Sequence, residues 1–286
     1  MTKDQNFHPT KTIDIHGILL DLSTTQVMGI LNITTDSFYD GGKHNNTNKA
    51  LQKVEKFIKE GASIVDIGAY SSRPGAKHIS KNEEWKRLKE ILPIVNKEFP
   101  EIIISVDTFR SEIAQKSIEN GAHMINDISA GEMDIKMFDT IAKLQVPYII
   151  MHMQGTPQNM QINPKYNCIE KDVFNYFEEK IITLKNKGVK DIIIDPGFGF
   201  GKTLEHNYKL LNHLELLHEL NQPILAGVSR KSMIYKLLKN SPAEALNGTS
   251  VIHTFCLQKG ASILRVHDVK EAIECAKIIN FAQNHK

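Results

Sequence analysis

Apolar residues in this chain fall into short unbroken runs separated by stretches of helical spacing. Eight such runs stand out: Val27 to Asn32, Glu60 to Gly68, Ile102 to Asp107, Asn120 to Ile128, Tyr148 to His152, Lys187 to Asp195, Pro223 to Val228 and Lys259 to His267. A run of four to six apolar residues without alternation predicts a strand buried on both faces. Four of the segments (EGASIVDIG, NGAHMINDI, KGVKDIIID and KGASILRVH) share one grammar: a polar residue, a glycine, an apolar run and a polar end. Helical spacing precedes the glycine, with Leu51, Val54, Phe57 and Ile58 before Gly61, and Ile113, Ala114 and Ile118 before Gly121. Glycine just past such a stretch marks a helix C-terminus. Ser80 with Glu83 forms a capping-box pattern ahead of Trp85, Leu88, Leu92 and Val95. Met137, Ile141 and Leu144 mark another helix, as do Leu210, Leu211, Leu214 and Leu217, and a last one carries Ala272, Ile273, Ala276 and Ile279.

A repeated helix–glycine–strand unit predicts parallel βα architecture. Eight units without a Pro-, Gly- or Ser-rich linker point to an α/β TIM (β/α)8 barrel. The rival is a doubly wound open sheet, which usually has fewer strands or a longer chain. Residues 12–23, TIDIHGILLDLS, read as a short hairpin placed to plug the N-terminal face. The expectation is a single domain over 1–286, with the hairpin at about 12–23 and the barrel at about 27–282.

Composition narrows the picture. The chain has 286 residues, 41% of them hydrophobic and 24% charged, which fits a globular protein and argues against disorder, collagen or coiled coil. The net charge of +2 comes from interspersed signs, giving no reason to expect a nucleic-acid or membrane partner. The polar start MTKDQNFHPTK lacks the apolar core of a signal peptide. Cys168, Cys256 and Cys275 form no CxxC pair, so they read as buried or half-buried thiols in a reducing cytoplasm.

In a TIM barrel the strands' C-terminal ends carry the chemistry. Here they read Asn32, Asp66, Asp107, Asn126 with Asp127, His152, Asp195, Ser229 with Arg230 and Lys231, and Arg265 with His267. Turn-capping alone explains one such residue, but it explains polar groups at all eight ends poorly. Carboxylates, an amide and cations at one mouth imply a polar, anion-containing ligand. Lys231, Arg265 and His267 lie at strands seven and eight, where barrels often bind phosphate. Asp107, Asn126 and Asp195 suit a flat heterocycle with N–H donors; an ion pair is the alternative for Asp107. DPGFGFGKT (Asp195 to Thr203) has Pro196 where a nucleotide-triphosphate loop needs glycine, so its glycines are expected to let the loop pass close to a ligand. TTDSFYDGGKHNN, after strand one, reads as a loop that closes over the site.

Seven motifs in order carry a resemblance: MGILNITTDSFYDGG, DIGAYSSRPGA, ISVDT, INDI, DPGFGFGKT, GVSRKS and RVHDV. Together they resemble the dihydropteroate synthase family over about residues 27–282. The resemblance implies a TIM barrel and a transferase that joins 6-hydroxymethyl-7,8-dihydropterin diphosphate to p-aminobenzoate, giving 7,8-dihydropteroate and pyrophosphate for folate synthesis. It implies a pterin pocket of Asp107, Asn126, Met151, Asp195, Gly227 and Lys231, and a diphosphate site of Asn32, Arg265 and His267, with Asn32 meeting Mg2+. It places p-aminobenzoate among Ser71, Ser72, Arg73, Pro74, Phe200 and Ser232. The catalytic set would be Asp107, Lys231, Arg265 and His267, the inhibitors sulfonamides, and the assembly a cytoplasmic homodimer joined through the last helices. The partners would be small-molecule substrates, with no nucleic acid and no membrane.

The chain departs from the family pattern at Thr35, where proline is usual, and at Ala69-Tyr70-Ser71-Ser72, where Gly-Glu-Ser-Thr or Gly-Gln-Ser-Thr is usual. Two other readings remain: a pterin-binding methyltransferase barrel, and a catalytically dead pterin binder. Neither has a use for the anion-binding group of Asn32, Arg265 and His267.

Overall fold

The computed structural model describes residues 12–15, 17–33, 43–71 and 78–285, apart from the side chains of 18 and 43–46. Among these residues, eight parallel strands run β3 (Gln26–Asn32), β4 (Ile64–Gly68), β5 (Ile103–Asp107), β6 (Met124–Asp127), β7 (Tyr148–Met151), β8 (Ile192–Asp195), β9 (Leu225–Ala226) and β10 (Ile263–Val266). They pair in the order β8-β7-β6-β5-β4-β3-β10-β9. A parallel bridge between Ile194 and Ile224 joins the two ends, so the sheet closes into the expected barrel.

Helices return the chain between strands: α1 (Lys43–Glu60), α2 (Lys81–Glu98), α3 (Ser111–Glu119), α4 (Met137–Leu144), α5 (Ile169–Asn186), α6 (Leu204–Asn212), α7 (Ser232–Tyr235), α8 (Leu246–Gln258) and α9 (Val269–Gln283). The glycines past α1 and α3 hold positive φ, 102° at Gly61 and 96° at Gly121. Only a residue without Cβ adopts that turn at low cost.

The hairpin forms as expected. β1 (Thr12–Ile15) pairs antiparallel with β2 (Ile18–Asp21). Ile13, Ile15, Leu20 and Leu22 pack on Met28, Ile64, Met124, Ile149, Ile193, Leu225 and Ile263, the inward residues at the strand starts. This apolar plug closes the N-terminal face, leaving the other end as the mouth. A second, larger apolar layer, including Val65, Ile104, Tyr148 and Leu264, joins the outer faces of the strands to the helices.

Three local readings differ. The helix expected over Leu210–Leu217 breaks at His213, where α6 gives way to a 3-10 turn over Leu214–Leu220. The seventh strand forms a regular ladder only at Leu225–Ala226, with Ile224 adding a single bridge to Ile194, because Pro223 lacks an N–H to extend the ladder and Gly227 starts the exit loop. Ser80 accepts from the Glu83 backbone at 3.2 Å, but the Glu83 carboxylate turns to Arg87, so half of the capping box forms.

Candidate active site

Side chains alternate between the barrel interior and the helix layer along each strand. The outer set contains Val27, Val65, Ile104, Ile125, Ile150, Ile194, Ala226 and Leu264. The inner set therefore ends, at the mouth, in Asn32, Asp66, Gly68, Asp107, Asn126, Met151, Asp195, Gly227, Arg265 and His267. Register aligns Asn32, Gly68, Asp107 and Asn126 as one row across four strands, with Met151 opposite Asp195.

The same alternation corrects two expectations. Asp127 and His152 face outward and do not join the mouth. Asp127 accepts from Tyr148 Oη at 2.6 Å and from the Ser129 and Gly131 backbone, which makes it a turn anchor. Arg230 also turns away: it makes a two-point ion pair with Asp268 at 2.7 and 3.0 Å and donates to the Pro242 and Ala243 carbonyls.

Asp66 organises the floor of the mouth. Wholly buried, it accepts from Ser105 Oγ at 2.6 Å, Asn126 Nδ2 at 3.0 Å and Arg265 Nε at 2.7 Å. The Asn126 amide group commits its NH2 to Asp66, which turns its oxygen the other way. Arg265 reaches on to Asp107 Oδ2 at 2.9 Å, so one guanidinium is held between two carboxylates. The sequence reading set Arg265 apart with the rim cations; in the folded chain it sits on the acids.

Burial sets the charges. It raises the Asp107 carboxyl to about 7, against the pull of Arg265. It also raises Asp195, opposed chiefly by Lys231 and by the Gly197 N–H that donates at 2.8 Å. It lowers the Lys231 ammonium to about 8, against the attraction of Asp195. Lys231 donates to the Phe198 carbonyl and lies 4.4 Å from the Phe200 ring centroid. A Cβ added at Gly227 would stand 3.5 Å from Asp195 Oδ2 and 3.8 Å from Lys231 Nζ, so its missing side chain leaves open the space these groups face.

On the rim, His267 Nδ1 lies 3.1 Å from Ser229 Oγ, which also accepts from the His267 backbone N–H at 3.2 Å. Met151 and Phe200 belong to a small apolar cluster with Tyr70, Phe109, Ile128, Met153 and Met160. Ser232, half-buried, begins α7. Ser71 follows β4 and is half-buried, whereas Ser72, Arg73 and Pro74 lie outside the described residues, as do Thr35 and the first-loop positions 34–42. Tyr70 is buried, packing edge to face on Phe109 at 5.1 Å and accepting from Gln158 Nε2 at 3.0 Å.

Two glycines of the glycine-rich loop face the protein's own backbone, and Gly199 faces the Lys231 side chain. At Gly197, φ is 69° and a Cβ would stand 2.0 Å from the His152 carbonyl; at Gly201 it would stand 2.6 Å from the Gln154 carbonyl. The loop passes close to the protein's own backbone. Lys202, nearly fully buried, pins it there by donating to the carbonyls of His152, Gly197 and Phe200 at 3.0–3.2 Å. Gly197→Ala is expected to cost about 3 kcal/mol of stability. A chemical-denaturation midpoint equal to that of the parent would contradict this.

Residues 28–267 match the family described as pterin binding enzyme. The chain is 43% identical over 265 residues to the dihydropteroate synthase of Escherichia coli (strain K12), covering 92% of this chain and 93% of that one. It is 41% identical over 261 residues to the dihydropteroate synthase of Haemophilus influenzae, covering 91% and 94%. Among solved structures, a Yersinia pestis dihydropteroate synthase in a sulfonamide drug complex superposes with a TM-score of 0.90 at 40% identity, covering 96% of this chain and 100% of that chain. A Xanthomonas albilineans dihydropteroate synthase in complex with 7,8-dihydropteroate gives 0.85 at 34% identity, covering 95% and 98%.

Proposed function

Because this chain belongs to the dihydropteroate synthase family of pterin-binding enzymes, we propose that the inward residues of its barrel mouth divide the family's reaction among them. The reaction condenses 6-hydroxymethyl-7,8-dihydropterin diphosphate with p-aminobenzoate to give 7,8-dihydropteroate and pyrophosphate. The observation that carries the assignment is the packing of Asp107, Asn126, Asp195 and Lys231 around the space left by Gly68 and Gly227.

The pterin ring lies in that space. Its N–H and NH2 donors meet Asp107, the Asn126 oxygen and Asp195; Lys231 donates to its acceptors, and Met151 forms the wall. Breaking the methylene C–O bond puts positive charge on the pterin and negative charge on the leaving diphosphate. Asp107 and Asp195 favour the first, and Arg265 with His267 the second. The aniline nitrogen is already nucleophilic, so no covalent intermediate on the protein is required; the charge that builds on the pterin methylene makes the substitution dissociative in this reading. Phe200 packs on the p-aminobenzoate ring, Ser232 holds its carboxylate, and the segment from Ser71 to Pro74 completes that site.

The side chains fit a Mg2+ ion delivered with the diphosphate. Among the described residues no group of three His, Cys, Asp or Glu forms a cage for a metal. Asn32 Oδ1, however, lies beside the Asp107 carboxylate across Gly68, where a Cβ would be 3.4 Å from Asn32 Oδ1 and 3.7 Å from Asp107 Oδ2. One amide oxygen suits an ion that keeps waters and phosphate oxygens as its other ligands. When bound, such an ion neutralises charge on the leaving group.

The homodimer is supported by exposed apolar side chains on two helices that pack together: Val251 and Phe255 on α8, Ile278 and Phe281 on α9. Sedimentation measures it directly. A cytoplasmic location agrees with three free cysteines, and no helix among the described residues is long and apolar enough to cross a membrane.

The reaction is tested by an assay supplied with both substrates, with and without Mg2+. Pyrophosphate and dihydropteroate should appear in equal amounts and depend on the ion; absence of pyrophosphate would refute the assignment. Sulfonamides should inhibit competitively with p-aminobenzoate, and unaltered turnover far above its KM would count against that site. The pH dependence of kcat/KM should be bell-shaped. Activity is lost on acidification through about 7, as Asp107 takes up a proton, and on alkalinisation through about 8, as Lys231 loses one. Lys231→Arg should move only the alkaline limb, upward; an unmoved limb would exclude Lys231 as its source.

A further inference from the structure

Ser71 and Phe200, both assigned above to p-aminobenzoate, follow β4 and β8, strands on opposite sides of the eight-strand ring. A turn after β7, residues 156–162, connects their surroundings. It is tightly bonded within itself. The backbone N–H groups of Asn159 and Met160 donate to the Thr156 carbonyl at 3.0 and 2.7 Å, and that of Ile162 to the Asn159 carbonyl at 2.8 Å. Asn159 Oδ1 accepts from the Thr156 N–H at 2.7 Å. Met160 is buried in the apolar cluster that also holds Tyr70, Phe109 and Phe200.

Two glutamines of this turn bond to two different loops. Gln158 Nε2 donates to Tyr70 Oη at 3.0 Å, beside Ser71. Gln161 Nε2 donates to the Gly199 carbonyl at 2.7 Å, beside Phe200. Each receiving group is itself fixed. The Tyr70 ring packs on Phe109 and lies 5.6 Å from the Arg110 guanidinium, and its Oη is 3.2 Å from His78 Nδ1. The backbone on either side is held as well. Arg87 donates to the Ala69 carbonyl at 3.1 Å, and Arg110, paired with the wholly buried Glu84, donates to the Ile79 carbonyl at 2.7 Å. At the other end, the Gly199 N–H donates to Asn207 Oδ1 at 2.7 Å, and Lys202 donates to the Phe200 carbonyl at 3.0 Å.

The turn is therefore a strut between two anchored loops. We propose that Gln158 and Gln161 are positioning residues for p-aminobenzoate: the turn after β7 sets the spacing between Ser71 and Phe200. Neither glutamine touches the reacting atoms, and each acts through the neighbour it holds. A second substrate reacts only as well as its walls hold it in line with the first. The departure from the family pattern at Tyr70 belongs to this device, because the glutamate or glutamine usual there has no ring to pack on Phe109. The inference rests on the assignment of p-aminobenzoate to Ser71 and Phe200 made above.

Steady-state kinetics with each substrate varied in turn test it. Gln158→Met and Gln161→Met should each raise the KM for p-aminobenzoate about fivefold, the worth of one hydrogen bond. The kcat and the KM for the pterin diphosphate should stay within about twofold of the parent's. Both glutamines are exposed, so neither change disturbs the core. Tyr70→Phe, which removes only the hydroxyl, should also raise the p-aminobenzoate KM, and adding Gln158→Met to it should raise that KM no further. A general loosening of the fold would instead move both KM values or kcat, and would add across the double variant. An unmoved p-aminobenzoate KM in either glutamine variant, or both KM values rising together, would overturn the proposal while leaving the assignment of the mouth intact. A parent protein that forms no dihydropteroate would refute that assignment, and the proposal with it.

Discussion

Asp107→Ala is expected to lower kcat/KM for the pterin diphosphate at least about 100-fold, about 3 kcal/mol of transition-state stabilisation. The carboxylate sits on the inner row at the mouth, between Gly68 and Asn126, where the proposed reaction develops charge on the pterin. Stability should change little, within about 1 kcal/mol. Burial holds the carboxyl's pKa above its ordinary value, so its ionised form is a cost to the folded state, and Arg265 keeps its second partner, Asp66, at 2.7 Å. Loss of activity with an unshifted denaturation midpoint is thus the expected pair of results. Near-parental turnover would remove Asp107 from the reaction.

Arg265→Met should lose both activity and stability. Asp66 is wholly buried and would keep only Ser105 and Asn126 as donors. Stripping the cation from a buried carboxylate costs about 3–5 kcal/mol. A double-mutant cycle separates the two roles. Adding Asp66→Asn to Arg265→Met should restore most of the lost stability, because the uncompensated charge is gone, yet restore none of the turnover. Recovery of activity in the double variant would show that Arg265 serves Asp66 alone.

The barrel was legible because its signals are local. Glycine after a helical stretch, followed by a short apolar run, depends on residues within one turn and one strand. The facing of each strand's last residue was not legible, since a strand buried on both faces carries no apolar–polar alternation. That ambiguity put Asp127 and His152 in the mouth. A usable signal lay in the pair Asn126 and Asp127: consecutive strand residues point to opposite faces, so only one can point inward. Asp66 was seen as a strand-end acid, but its role as hub was hidden, because its guanidinium partner lies 199 positions away. Lys202 was missed for a related reason. Two of its carbonyl partners, Gly197 and Phe200, lie on a loop whose close approach to the third, His152 at the end of β7, only the folded backbone reveals.

The central claim is that acids inside the barrel mouth hold a pterin while the cations beside them take its leaving anion. A crystal structure with a non-hydrolysable pterin diphosphate analogue tests it most directly. The ring should contact Asp107, Asn126, Asp195 and Lys231, with the diphosphate against Arg265, His267 and Asn32. A ring bound elsewhere, or a diphosphate directed away from Arg265 and His267, would contradict it.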